Sequence, residues 1–451
     1  MVLFGHICFS IIMFASFFLF FYAAAGSFSL KRLNMYSLAF YFLFFYCFIG
    51  TTAIFCGFRN QYLIMKCSEE SIDIAYWMIM YALVSLPLFC LLFQYIIGIK
   101  NYRVFYDSYI TAPVRVERYE SDSAFILFII LGSVGFFALI YTFVNIGYFP
   151  QWELVKGNIE ILDKRQEITR TFAGNVYVRN ILALFLIPNL SYMAFAFMRA
   201  TKQKKWLILF LVLAVMSVIC KTYNFEKSPI VMYFFYFYII DVLMGNVRNT
   251  RKIIIFVIAG ALFILFIYKY LFGYEGALIS LSSGPMARIL ITQVAGVFLH
   301  VEAFPSRVGF LRGSSFPSAL SWIFGSSESW VRSGRVVMET FYSQSVSEGV
   351  SGVMNTLYVA EAYANFGIIG CIVAPVFVAF VITIIPTFIL KQRKDPFNIS
   401  IYVIITASFV SCLTGGFIDF FYDLNLVILI IVFLTIKSLA NKWSGVNEPI
   451  N

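Results

Sequence analysis

The chain has 451 residues, of which 61% are hydrophobic, 19% aromatic and 12% charged, with a formal net charge of +10. A soluble protein carries about 25% charged residues, and at this length it folds as two or three domains around separate cores; that class is excluded. A transmembrane barrel is excluded too, because its segments alternate over roughly 10 residues.

Backbone polar groups inside a bilayer must be paired within their own segment, so long apolar runs there become helices. The sequence therefore predicts an all-α polytopic integral membrane protein, a single transmembrane helical bundle over 1–451. About 11 transmembrane helices (10–12) are predicted, at 5–25, 35–57, 75–97, 124–145, 178–198, 206–221, 228–245, 253–272, 367–390, 398–418 and 420–440. The first run has no basic residue ahead of it, and Ala23-Ala24-Ala25-Gly26 is a poor cleavage site, so it reads as a span rather than a signal peptide.

Basic residues in the connections give the orientation. Lys31/Arg32, the segments around 100–118, 199–205, 248–252 and 391–394, and the tail hold 18 of the 33 Lys and Arg, a net of +11 once acids are counted. The opposite set of connections has a net of −1. The first set is predicted to be cytoplasmic, with the C-terminus inside and the short N-terminus outside. The positive charge is thus a topology signal, and nucleic acid is not a predicted partner.

Two outer connections are long. The first external loop, 146–177, mixes Trp152, Leu154, Ile159, Ile161 and Leu162 with charges, a pattern suited to a short helix on the bilayer surface. The large external loop, 273–355, is rich in Gly and Ser. It also carries Phe298, Phe304, Phe310, Phe316 and Ile323, which give it apolar surface to bury, so short membrane-surface helices are predicted there. Six of the eight cysteines fall within spans; Cys56 and Cys67 flank a short outer connection and could pair in an oxidising compartment. No nucleotide-binding loop, dinucleotide fingerprint or zinc spacing occurs.

Arginine suits phosphate and pyrophosphate, because its planar fork offers paired donors and stays charged. The predicted outer face holds Arg165, Arg170, Arg179, Arg288, Arg307, Arg312, Arg332 and Arg335, each of which could equally meet lipid headgroups or acids. Arg288, in the apolar run MARILITQVAGVFLH, and Arg179, in YVRNILALFL, are the strongest candidates, since an ionisable group in membrane-like sequence is costly. Lys227, in Asn224-Phe225-Glu226-Lys227-Ser228-Pro229, either belongs to a capped helix start or faces an outer site where the helix terminus draws phosphate oxygens.

Glu361 is the carboxylate candidate. Helical spacing puts Tyr358, Glu361 and Asn365 on one polar stripe leading into a span, with Tyr363 beside them. A carboxylate partly withdrawn from water can take a proton from a hydroxyl; the alternative is a helix-start acid facing solvent. His300 reads as a hydrogen-bonded structural residue before it reads as a base. Asp419 and Asp423 read as solvated acids in a turn.

With these residues in place, the chain resembles the bacterial O-antigen and capsular oligosaccharide repeat-unit polymerases (Wzy-type). The likeness covers roughly 170–420 in layout and rests on Glu226-Lys227-Ser228-Pro229, on Arg288 with Gln293, Gly296 and Phe304-Pro305, and on the segment from Glu361 to Gly370. The family's Arg-x10-Gly loop motifs are missing: the residues eleven places after Arg170, Arg288, Arg312 and Arg335 are Ile181, Leu299, Ile323 and Val346.

The resemblance implies a metal-independent glycosyltransferase with no cofactor, in the bacterial inner membrane with its active site facing the periplasm. It would join undecaprenyl-pyrophosphate-linked oligosaccharides, with membrane lipids and a chain-length regulator as further partners. Arg288 and Glu361 would be catalytic. Arg170, Arg179, Lys227, Arg312, Tyr358, Tyr363 and Asn365 would bind pyrophosphate or substrate. An O-antigen ligase, or a related lipid-linked glycosyltransferase, would share these features and differ in its acceptor. A polysaccharide flippase is the non-enzymatic alternative.

Overall fold

A computed structural model describes residues 2–156, 172–247, 280–282, 284–317, 331–347, 352–421 and 423–443, with five isolated positions at 255, 258, 262, 320 and 323. The described residues form helices and connections and contain no strand. Ten helices among them are long and apolar enough to cross a bilayer, which makes this a multi-pass membrane protein. In chain order the main helices are α1 (Val2–Ala25), α2 (Met35–Phe55), α3 (Glu69–Ile96), α4 (Tyr102–Thr111), α5 (Arg118–Ile146), α6 (Val178–Thr201) and α7 (Lys204–Thr222). They continue with α8 (Lys227–Leu243), α9 (Gly284–Ala303), α10 (Ser333–Phe341), α11 (Tyr358–Lys391), α12 (Pro396–Gly415) and α13 (Leu424–Trp443).

Local chemistry sets several boundaries. Asn34 caps α2: its side chain accepts from the Tyr36 and Ser37 N–H groups, and the Ser37 hydroxyl accepts from the Asn34 N–H. Ser68 caps α3, with Glu69 and Glu70 in the first turn where the helix dipole favours acids. Gly147 ends α5 at φ +86°, a conformation that glycine adopts without strain.

Cα proximity divides the chain into two compact units, with boundaries inside α11 and α12. The first holds 1–107, 249–387 and 408–422. In it, α1 packs on α2 and α3, and α9 packs on α2, α3 and α10. Gly50 permits the α2–α9 approach, because a Cβ there would stand 1.9 Å from the Leu290 carbonyl oxygen. At its other end α9 places Glu302 on the N-cap of α3, accepting from the Ser68 N–H at 2.9 Å and the Ser68 hydroxyl at 2.8 Å.

The second unit holds 108–248, 388–407 and 423–451, with α6 against α5 and α7, and α13 against α5. Trp206 is fully buried there, stacked on Phe197 at 4.4 Å and donating to the Ser121 hydroxyl at 2.8 Å. Its charged end is tied by Lys437, which donates to the wholly buried Asp395 at 2.9 Å, and by Lys394, which donates to the Tyr109, Ile110 and Ala112 carbonyls at 2.8 Å each.

Three expectations need adjustment. Of the span expected at 253–272, all but the isolated positions 255, 258 and 262 lies outside the described residues. The region expected as the external loop 273–355 contains α9, which is long and apolar enough to cross, although it is the least apolar of the ten. Arg288, Thr292 and Gln293 dilute its hydropathy, which is why the sequence reads as an excursion. Yet α9 is anchored at both Gly50, one to two turns from the end of α2, and Ser68, the start of α3. These anchors lie toward the ends of α2 and α3 that the 56–68 connection joins.

The helix expected at 367–390 begins nine residues earlier, at Tyr358, and changes direction at Gly367 (φ +59°, ψ −143°), where only glycine is at ease. In the 146–177 loop, Pro150–Val155 is helical, and 157–171 lie outside the described residues. Cys56 and Cys67 are free thiols.

Candidate functional site

The break at Gly367 leaves a half-helix, 358–366, ahead of the longer part of α11. The extended segment 352–357 leads into it, threaded between other elements of the first unit. Its Met354 N–H donates to the Gly334 carbonyl at 3.2 Å and its Thr356 N–H to the Thr414 carbonyl at 3.2 Å. Gly296 and Gly334 make room: a Cβ on either would stand 2.2 Å from the Asn355 carbonyl and 2.4 Å from the Met354 carbonyl, respectively.

Glu361, one turn into the half-helix, is 2% exposed. Its Oε2 accepts from the Ile418 N–H at 3.1 Å, and the Phe417 N–H also faces the carboxylate. The turn that supplies these donors follows Gly415-Gly416 at the end of α12. A Cβ at 416 would stand 2.2 Å from Glu361 Oε2, and one at 415 would stand 2.8 Å from Asp419 Oδ2. The glycine pair therefore lets two carboxylates approach one stretch of backbone.

Arg332, the N-cap residue of α10, interacts with both carboxylates. Its fork donates to both oxygens of Asp419, at 2.7 and 2.8 Å. Glu361 lies within electrostatic range of the same guanidinium. Burial works against the Arg332 cation, but the Asp419 hydrogen bonds and the Glu361 and Asp419 charges outweigh it and hold the group above its ordinary value. Asp419, expected to be merely solvated, is thus half of a bidentate ion pair.

Asn365 is 1% exposed and fully engaged. Its Oδ1 accepts from the Gly313 N–H at 3.1 Å and the Ser315 hydroxyl at 3.0 Å, while Nδ2 donates to the Glu361 carbonyl at 2.8 Å. Arg312 N–H donates to the Asn365 carbonyl at 3.1 Å. Through these bonds Asn365 holds the 311–316 segment to the half-helix. Tyr358 is likewise buried, its hydroxyl 3.5 Å from the Ala82 carbonyl. Tyr363 is half-buried and donates to the Phe304 carbonyl at 3.1 Å.

The structure thus gathers Glu361, Tyr358, Tyr363, Asn365 and the backbone of Arg312 around the half-helix. The side chains of Arg312 and Arg288 are exposed, with no hydrogen-bond or ion-pair partner among the described residues. Arg288 opens a π-helical turn of α9. In the second unit, Arg179 is 4% exposed, lies 4.5 Å from the Phe172 ring and donates to Asn180. Lys227 begins α8, but its side chain, like all of Arg170, lies outside the described residues.

His300 is buried between the Gly296 carbonyl, 2.6 Å away, and the Ser333 hydroxyl, 3.2 Å away, joining α9 to α10. Spacing along the chain missed the Arg332–Asp419 pair, whose members are 87 positions apart. The available signal was Gly415-Gly416 followed closely by an acid at a junction of spans. No family model, no curated protein and no solved structure matches this chain.

Proposed function

We propose that this protein is a glycosyltransferase that polymerises undecaprenyl-pyrophosphate-linked oligosaccharide repeat units at the outer face of the bacterial inner membrane. The observation that carries the reading is a buried carboxylate, Glu361, sharing a site with an arginine at a junction of spans. The positive-inside rule assigns the 391–394 end of α12 to the cytoplasm, which puts the Gly415-Gly416 end outside. No nucleotide is available on that side, so the sugar–pyrophosphate bond itself must supply the driving force.

The acceptor hydroxyl attacks the anomeric carbon of the pyrophosphate-linked sugar. Its proton passes to Glu361, the new glycosidic bond forms as the anomeric carbon–oxygen bond breaks, and undecaprenyl pyrophosphate departs with the electron pair. Arginines meet the charge that develops on the leaving group. Arg288 and Arg312, exposed and unpaired among the described residues, are free to approach phosphate oxygens.

The test is turnover of synthetic lipid-pyrophosphate repeat units by purified wild type and Glu361→Gln. The amide keeps the size and can still accept from Ile418 N–H, but it cannot take the proton, so turnover should fall by roughly 10²–10⁴-fold. Near-normal turnover would remove Glu361 from proton transfer. Transfer to lipid A-core, with none to a second repeat unit, would reassign the protein as a ligase.

A further inference from the structure

We infer that Arg332 is the side chain that grips the diphosphate of the lipid-linked donor, and that Asp419 is the internal counter-ion it releases to do so. The inference rests on the transferase reading above. It assigns a new residue pair and a specific event: exchange of a carboxylate for a diphosphate on one guanidinium.

Exposure argues for the exchange. The Arg332 and Asp419 side chains are 25% and 29% exposed, so a solute can reach both. Glu361 is 2% exposed and tied to backbone, so it cannot leave. A carboxylate covered in this way meets no hydroxyl until something around it moves. The Arg332–Asp419 pair is the part of the cluster that solvent reaches.

Geometry argues for the ligand class. The Arg332 fork already holds two oxygens of one anionic group, at 2.7 and 2.8 Å. A phosphate presents oxygens to a guanidinium in the same paired manner, so it replaces Asp419 in kind. Gly415 lets the Asp419 carboxylate lie close to the end of α12, since a Cβ there would stand 2.8 Å from Asp419 Oδ2.

Binding of undecaprenyl pyrophosphate and inorganic pyrophosphate to the full-length protein in nanodiscs tests this, with thermal unfolding of each variant in parallel. Asp419→Asn should tighten diphosphate binding by about 3–10-fold, because Arg332 loses its competitor. Arg332→Ala should weaken it by about 10–100-fold, the range expected for hydrogen bonds to a charged group. Arg332→Lys should recover little, since a point charge lacks the fork. The double variant should bind no better than Arg332→Ala alone.

Binding weakened by Asp419→Asn, or unchanged by Arg332→Ala in a folded protein, would overturn the inference. If Arg332→Ala does not fold, Asp419→Asn decides alone. Failure of the wild type to bind either probe would instead sink the transferase reading.

Discussion

Gly416 and Glu361 fit so closely that a single added Cβ at 416 would lie 2.2 Å from the carboxylate oxygen. No real Cβ tolerates that distance, and Glu361 is 2% exposed, its Oε2 held by the Ile418 N–H at 3.1 Å. Gly416→Ala should therefore displace the carboxylate, at a stability cost of about 1–3 kcal/mol for overpacking, and abolish polymer formation. Gly415→Ala should be milder, because the group it meets, Asp419 Oδ2 at 2.8 Å, ends a part-exposed side chain. Thermal unfolding in detergent and polymer ladders from cells decide the matter; equal effects of the two substitutions would mean that the fit at 416 is not what matters.

Asn365 holds the 311–316 segment through its amide. Asn365→Leu removes the acceptor of the buried Gly313 N–H, a loss of about 1–3 kcal/mol for an unsatisfied group. Hydrogen exchange should rise over 311–316 and stay level in α3. Unchanged protection at Gly313 would show that another group holds the segment.

In the second unit Asp395 has no exposure; Lys437 is its nearer ion-pair partner at 2.9 Å and Arg393 lies 3.8 Å from the same oxygen. Removing one member of a buried pair costs about 3–5 kcal/mol; Lys437 is partly exposed, so Lys437→Met belongs at or below the lower end. The melting temperature should fall, and adding Asp395→Asn should recover part of the loss by neutralising a carboxylate that then has only the more distant Arg393 as its cation. A double variant no more stable than Lys437→Met would argue that Asp395 acts mainly as a helix cap, through its bond to the Asn398 N–H at 2.8 Å.

Sidedness can be read by labelling single cysteines in spheroplasts with an impermeant maleimide. Gly309 has open space where a Cβ would go, and Gln392 is exposed. Gly309→Cys should label from outside and Gln392→Cys only after lysis. Native Cys67 should stay silent, because burial pushes its thiol to about 12. Labelling of Gln392→Cys alone would invert the topology.

The sequence by itself determined the membrane class, the helical architecture and the approximate place of nearly every described span, because the bilayer forces one periodicity and one length on each crossing segment. It also singled out Glu361, whose isolation in an apolar helix is visible in one dimension. Only the tertiary structure decided what surrounds that carboxylate. Arg332 and Asp419 look like ordinary loop charges until the chain brings 332, 361 and 419 together, and Gly415-Gly416 looks like a flexible turn until two carboxylates are seen pressed against it. Likewise α9 read as an external excursion, because Arg288, Thr292 and Gln293 hide an apolar face that only its packing on α2 and α3 reveals. Spacing encodes what one helix presents; which helices meet, and which charges then share a cation, is settled by packing between segments far apart in the chain.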